Sequence, residues 1–155
     1  MKINLRHFSA QMAIIFLLFV NGSATARAVT LIVNLKSVDQ NEITASELRN
    51  IYTLENTAWL NKQTITVFTL PANEESHKAL CGEVLSIYPH QLQRVWERAL
   101  FVKPEISFIP VKNTEEMLKA VSSTPGAIGY VSEDNLGEFT DRIKRLTIIP
   151  RANKL

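Results

Sequence analysis

From residue 29 onward, short apolar runs rich in β-branched residues alternate with longer stretches in which apolar positions recur every three or four residues. VTLIVNL (29–35) has the first pattern and predicts a strand buried on both faces. Thr44-Ala45-Ser46-Glu47 is a capping box, with Leu48, Ile51 and Tyr52 following at helical spacing, and predicts a helix over 44–53. After the polar loop LENTAWLNKQ, TITVFTL (64–70) predicts a second strand, stopped by Pro71. Asn73 is a good N-cap for a helix marked by Ala79, Leu80, Val84 and Leu85 that runs to about Ser86. Pro89 suits the first position of the next helix, whose apolar stripe is Leu92, Val95, Trp96, Ala99 and Leu100.

The remainder continues the alternation. ISFIPV (106–111) predicts a strand, and Pro110 places it at a sheet edge or in an extended connection. Asn113-Thr114-Glu115-Glu116 starts a helix with Met117, Leu118 and Val121 inward, and Ser123 to Gly126 ends it. Ala127–Val131 then predicts a strand, and LTIIP (146–150) a last one at an edge. In SSTPGAIGYV the two glycines serve different ends. Gly126 follows a helix C-terminus, where a positive φ is commonly needed, and Gly129 lies inside the strand, where a missing side chain allows close approach. The whole predicts an α/β domain with a mixed, largely parallel sheet flanked by helices.

The first 28 residues are read apart from this fold. Lys2 and Arg6 precede the apolar run MAIIFLLFV, and small-residue sites follow at Ala24/Ala26 and Ala26/Ala28, which is the pattern of a cleaved secretory signal. The run is well short of the roughly 20 apolar residues a spanning helix needs. The expected product is one domain over 29–155, soluble and periplasmic. Removing the segment also removes Lys2, Arg6 and Arg27 and no acid, so the 17 basic residues become 14 against 15 acidic ones and the net charge becomes −1. No basic surface for nucleic acid survives that subtraction. The single Cys81 forms no internal disulfide, so stability must come from the core. Within a helical pattern Cys81 reads as a buried small hydrophobe, with a dimer disulfide or a reactive thiol as the alternatives.

No catalytic constellation is evident. His77 and His90 are the only histidines past the signal; neither has a Cys or second His at metal-ligand spacing, and both lie near predicted helix starts, where surface histidines are common. The chain holds no G-x-S-x-G, P-loop or G-x-G-x-x-G. Glu74-Glu75 and Glu115-Glu116 fall in first helical turns, where the helix dipole accounts for them. The expectation is therefore a non-enzyme, without metal or cofactor. Binding has better support, because ligands of α/β sheets sit beyond the carboxyl ends of the strands. LPANEESH (70–77) and VSED (131–134) are the loops so placed, and Asn73, Ser76 and His77 are the candidate ligand contacts. Asn73 and Ser76 equally suit a purely capping role.

TASELRNIYTLENTAWLNKQTITVFTLP, then RVWERALF, then NTEEMLKAVSSTPGAIGYV resemble the small substrate-binding proteins of the phosphate ABC transporter family, a branch of the type 2 periplasmic binding proteins. The likeness covers most of residues 29–134. Pro125–Val131 matches that family's P-G-A-I-G-Y-V residue for residue, and Trp59, Asn61, Leu70, Pro71 and Trp96 fall in register. The resemblance implies a single-lobe periplasmic-binding-protein-like domain that binds phosphate or a similar small anion for ABC-type uptake, with a membrane transporter as partner. The other reading is an interaction module that kept the fold, lost the ligand and docks onto an envelope or membrane protein.

The departures bear on that choice. Leu54 and Lys62 stand where the family has glycines, so those turns are expected to be made differently. In the expected anion loop no Arg and no Ser-Gly-Thr can be carried over; the chain has Asn73, Glu74, Glu75 and Ser76. At ~6 Å, each carboxylate would repel a bound monoanion by roughly 0.7 to 3 kcal/mol, depending on the effective dielectric.

Overall fold

The structure is a computed structural model and describes residues 29–102, 108–135 and 141–149. The expected signal segment lies outside the described residues, as do Ile106, Ser107 and Pro150 of the expected strands. The elements in chain order are β1 (Val29–Asn34), β2 (Glu42–Thr44), α1 (Ala45–Tyr52), β3 (Thr66–Thr69) and α2 (Glu75–Ala79). A π-helical segment (Leu80–Leu85) continues α2, and α3 (Pro89–Val102), β4 (Phe108–Pro110), α4 (Thr114–Ser123), β5 (Ala127–Ser132) and β6 (Ile143–Ile149) follow.

Six strands form a sheet in the order β2-β6-β1-β5-β3-β4. β1 pairs antiparallel with β5 and β6, whereas β2–β6, β3–β4 and β3–β5 are parallel. Five strands therefore run one way and β1 runs against them, which is the mixed, largely parallel sheet expected. Leu31, Ile32 and Val33 of β1 are buried on both faces, as VTLIVNL predicts. Successive residues of β5 separate the two layers. Gly129 faces Met117 and Val121 of α4, while the ring of Tyr130 packs against Tyr52 of α1 and His77 of α2 on the opposite face. Trp96 joins α3 to that second layer by donating from Nε1 to Tyr52 O at 2.7 Å.

One strand expectation needs correction, and one strand was not expected. LTIIP is not an edge: β6 begins at Ile143 and lies between β1 and β2. Lys144 and Arg145 interrupt the apolar run that would have announced its start. The true edge is β2, three residues long, whose last residue Thr44 also caps α1. The other edge is β4, where Pro110 costs the ladder nothing because it lacks only an outward donor.

The family-like motifs meet at one point. Gly126 has φ +71, and a Cβ there would lie 2.0 Å from Thr64 O. Its N–H donates to Ser37 Oγ at 2.7 Å, and its carbonyl accepts from Trp59 Nε1 at 2.9 Å and Thr66 N at 3.2 Å. Asn61 donates to Ser37 O at 3.1 Å. The turns at Leu54 and Lys62, expected to differ from glycine turns, do not: both residues adopt left-handed backbone, with φ 61 and 66. The fold keeps the turn and accepts the strain of a side chain in it.

Candidate functional site

β2, β3 and β4 each lead into a helix, so the N-termini of α1, α2 and α4 gather at the carboxyl end of the parallel strands. Two of these helices are capped by their own side chains. Thr44 Oγ1 accepts from Glu47 N at 3.2 Å while Glu47 Oε2 accepts from Thr44 N at 2.9 Å, and Asn113 Oδ1 accepts from Glu116 N at 2.9 Å. The α2 terminus differs. Its N-cap is Glu74, which makes no side-chain capping bond, and not the expected Asn73, which stands exposed one residue earlier. The turn closes through its backbone, Glu74 N to Pro71 O at 3.0 Å, with His77 N and Lys78 N both reaching Glu74 O at 3.1 Å. Glu75 pairs with Lys78 at 2.7 Å on the surface. Ser76 is half-buried.

His77 is not the surface histidine its position near a helix start predicts: it is 1 % exposed. Nδ1 lies 2.6 Å from the Tyr130 hydroxyl and Nε2 lies 3.4 Å from Cys81 Sγ. Tyr130 Oη also accepts from Leu70 N at 2.9 Å and lies 3.0 Å from Thr69 Oγ1. The β3–α2 turn is thus tied from beneath to strand β5, through a buried chain of polar groups running Thr69, Tyr130, His77, Cys81. Burial pushes the His77 imidazole below its usual range and the Cys81 thiol up to about 11. Burial also raises the Tyr130 phenol, although its bonds to Thr69 and Leu70 oppose the shift. At neutral pH the cluster is uncharged. Cys81 is fully buried and protonated, which favours the small-hydrophobe reading over a reactive thiol.

Tyr52 stacks edge-on against Tyr130 at 5.9 Å, and its buried hydroxyl has no hydrogen-bond partner among the described residues. Below His77 the helix widens into the π-helical segment, which ends at Ser86 in left-handed backbone with φ 50. Arg49 Nη1 donates to Leu85 O and Ser86 O at 3.1 and 3.4 Å and so satisfies that end. Two open depressions, one beside Asp39, Leu60 and Asn61 and one beside Gly82, Tyr88 and Gln91, lie away from the α2 terminus. Among the described residues no three His, Cys, Asp or Glu side chains gather to hold a metal, and no helix is long and apolar enough to cross a membrane.

Of the three candidate contacts, the structure places Asn73 and Ser76 on the turn and His77 beneath it. Tyr130 and Thr69 were missed as its partners. A signal was present: His77, Leu80, Cys81 and Val84 share one helical face, so the histidine belongs to an apolar stripe. The other half of the cluster comes from β5, 53 residues away, which no local pattern connects.

No family model matches this sequence, and no curated protein matches it. Solved structures do match. An ABC-type phosphate transport receptor from Vibrio cholerae superposes with a TM-score of 0.53 at 18% identity, over 81% of this chain and 46% of its own. PstS from Borrelia burgdorferi gives 0.58 at 20% identity, over 83% and 49%. A Clostridium perfringens protein assigned as a phosphate ABC transporter substrate-binding protein, with phosphate bound, gives 0.58 at 15% identity, over 79% and 44%. The motif resemblance is therefore met in three dimensions: the chain has the α/β fold of phosphate ABC transporter substrate-binding proteins, over less than half of their length.

Proposed function

We propose that residues 29–155, released by cleavage of the first 28, act as a periplasmic solute-binding domain whose inherited ligand is phosphate or a similar small anion taken up through an ABC-type membrane transporter. The observation that carries this reading is the shared fold with phosphate-binding receptors, which sets the β3–α2 turn at the carboxyl end of the strands, where α/β sheets receive ligands. Asn73 and Ser76 are the ligand-facing groups of that turn, and His77 supports it from below. The domain does no chemistry of its own in this reading.

Calorimetric titration of the mature protein with phosphate, sulfate and other oxyanions tests it. Saturable heat is the expected result; none at millimolar ligand overturns solute binding. Glu74→Gly combined with Glu75→Ser should tighten anion binding, and an unchanged affinity would remove this turn from the site.

A second reading is favoured by one observation: the carboxylates of Glu74 and Glu75 stand in the turn where an anion would bind. It is an interaction module that kept the fold and docks onto an envelope or membrane partner. Absence of any anion binding, together with an unaltered fold, is its signature.

A further inference from the structure

The buried chain beneath the turn has a property that a purely apolar core lacks: its hydrogen-bond directions depend on one proton. With His77 neutral, either ring nitrogen can carry the hydrogen, and Tyr130 can donate to Nδ1 while accepting from Leu70 N and Thr69 Oγ1. With His77 protonated, both nitrogens must donate. Nδ1–H, now a charged donor, competes with Leu70 N–H for Tyr130 Oη, whose own proton turns to Thr69 Oγ1 while Thr69 turns to Leu70 O, 3.3 Å away. Cys81 Sγ is left to accept from Nε2.

Among the described residues, the groups packed around the ring offer the cation no counter-charge. They are Tyr130 and Thr69 from the sheet, Cys81 from the π-helical segment and Trp96 from α3, whose ring centroid is 6.0 Å away. Tyr52 of α1 stands behind Tyr130, and Glu74 at the start of the helix acts on the Tyr130 hydroxyl rather than on the imidazole. An uncompensated buried cation is relieved by hydration. The element that can yield is α2, five residues long, without a side-chain cap, and joined to β3 through the Leu70 bond to Tyr130.

We propose that His77 is a proton sensor for the turn 70–76: its protonation loosens the Leu70–Tyr130 anchor and frees the start of α2. The proposal rests on the turn being the ligand-facing one. Its test is chosen so that the switch and the ligand are read separately. Amide exchange of Leu70, corrected for intrinsic rates, is followed by NMR from neutral to mildly acid pH alongside the His77 ring signals, with phosphate added in parallel samples.

Leu70 protection is expected to fall at least about tenfold through the His77 titration while β1 amides stay protected. In His77→Gln, which keeps a donor and an acceptor but does not titrate, the pH dependence should flatten. Should that variant fail to fold, Tyr130→Phe serves, with low Leu70 protection at every pH and no step tied to His77. Leu70 protection that ignores His77 protonation, or that falls equally in His77→Gln, overturns the switch. Failure of phosphate to bind overturns the anion reading alone, because the exchange measurement needs no ligand.

Discussion

Lys62 holds left-handed backbone with φ 66 while its side chain stands in solvent, so nothing it contacts offsets the strain. Lys62→Gly should therefore stabilise the protein by about 1 kcal/mol, seen as a higher urea midpoint with an unchanged slope. Leu54 has the same backbone but packs against the core, so Leu54→Gly should gain nothing net. Gly129 shows the opposite case. A Cβ there would stand 2.5 Å from Met117 Sδ and 2.9 Å from Val121 Cγ2, so Gly129→Ala should cost about 1 to 3 kcal/mol by forcing α4 off the sheet. Equilibrium unfolding of the variant measures it. The roles of Gly126 and Gly129 were both legible in SSTPGAIGYV, because Pro-Gly after a helix and Gly within a strand each have few physical uses. The strain at Leu54 and Lys62 was not, since leucine and lysine carry no mark of positive φ.

At the scale of elements, the helix starts legible in the sequence are two that are capped within three or four residues and that of α3, which Pro89 opens. Thr44 with Glu47, and Asn113 with Glu116, are local devices that sequence spacing displays in full. The start of α2 was misjudged by one residue because an exposed Asn precedes a Glu that takes the cap position by backbone geometry alone. That difference predicts opposite outcomes. Thr44→Ala should lose about 1 kcal/mol, whereas Glu74→Ser, which supplies a capping oxygen the wild type lacks, should gain about 0.5 to 1 kcal/mol in thermal or chemical unfolding. The π-helical widening from Leu80 to Leu85 had no sequence signal. Its residues have an ordinary helical pattern, and its end is held by Arg49 from α1, 36 positions earlier in the chain.

For the whole molecule, the buried His77 sets a pH dependence with a definite sign. Burial lowers its folded-state pKa below the unfolded value, so the neutral ring contributes stability that is intact at neutral pH and is lost as pH falls through the folded pKa. Unfolding free energies should decline on acidification more steeply in the wild type than in His77→Gln, and equal slopes would show that the ring is free to hydrate in the native state. The sequence by itself determined the order of the helices and of five of the strands, two of the caps, the glycine positions and the family-like motifs. These rest on side-chain periodicity and local hydrogen bonds, which act over a few residues. Only the tertiary structure decided that β6 lies inside the sheet, that β2 forms its edge, and that His77 turns inward to Tyr130. Those outcomes depend on strand pairing and burial between segments far apart in the chain, whose energies no window along the sequence contains.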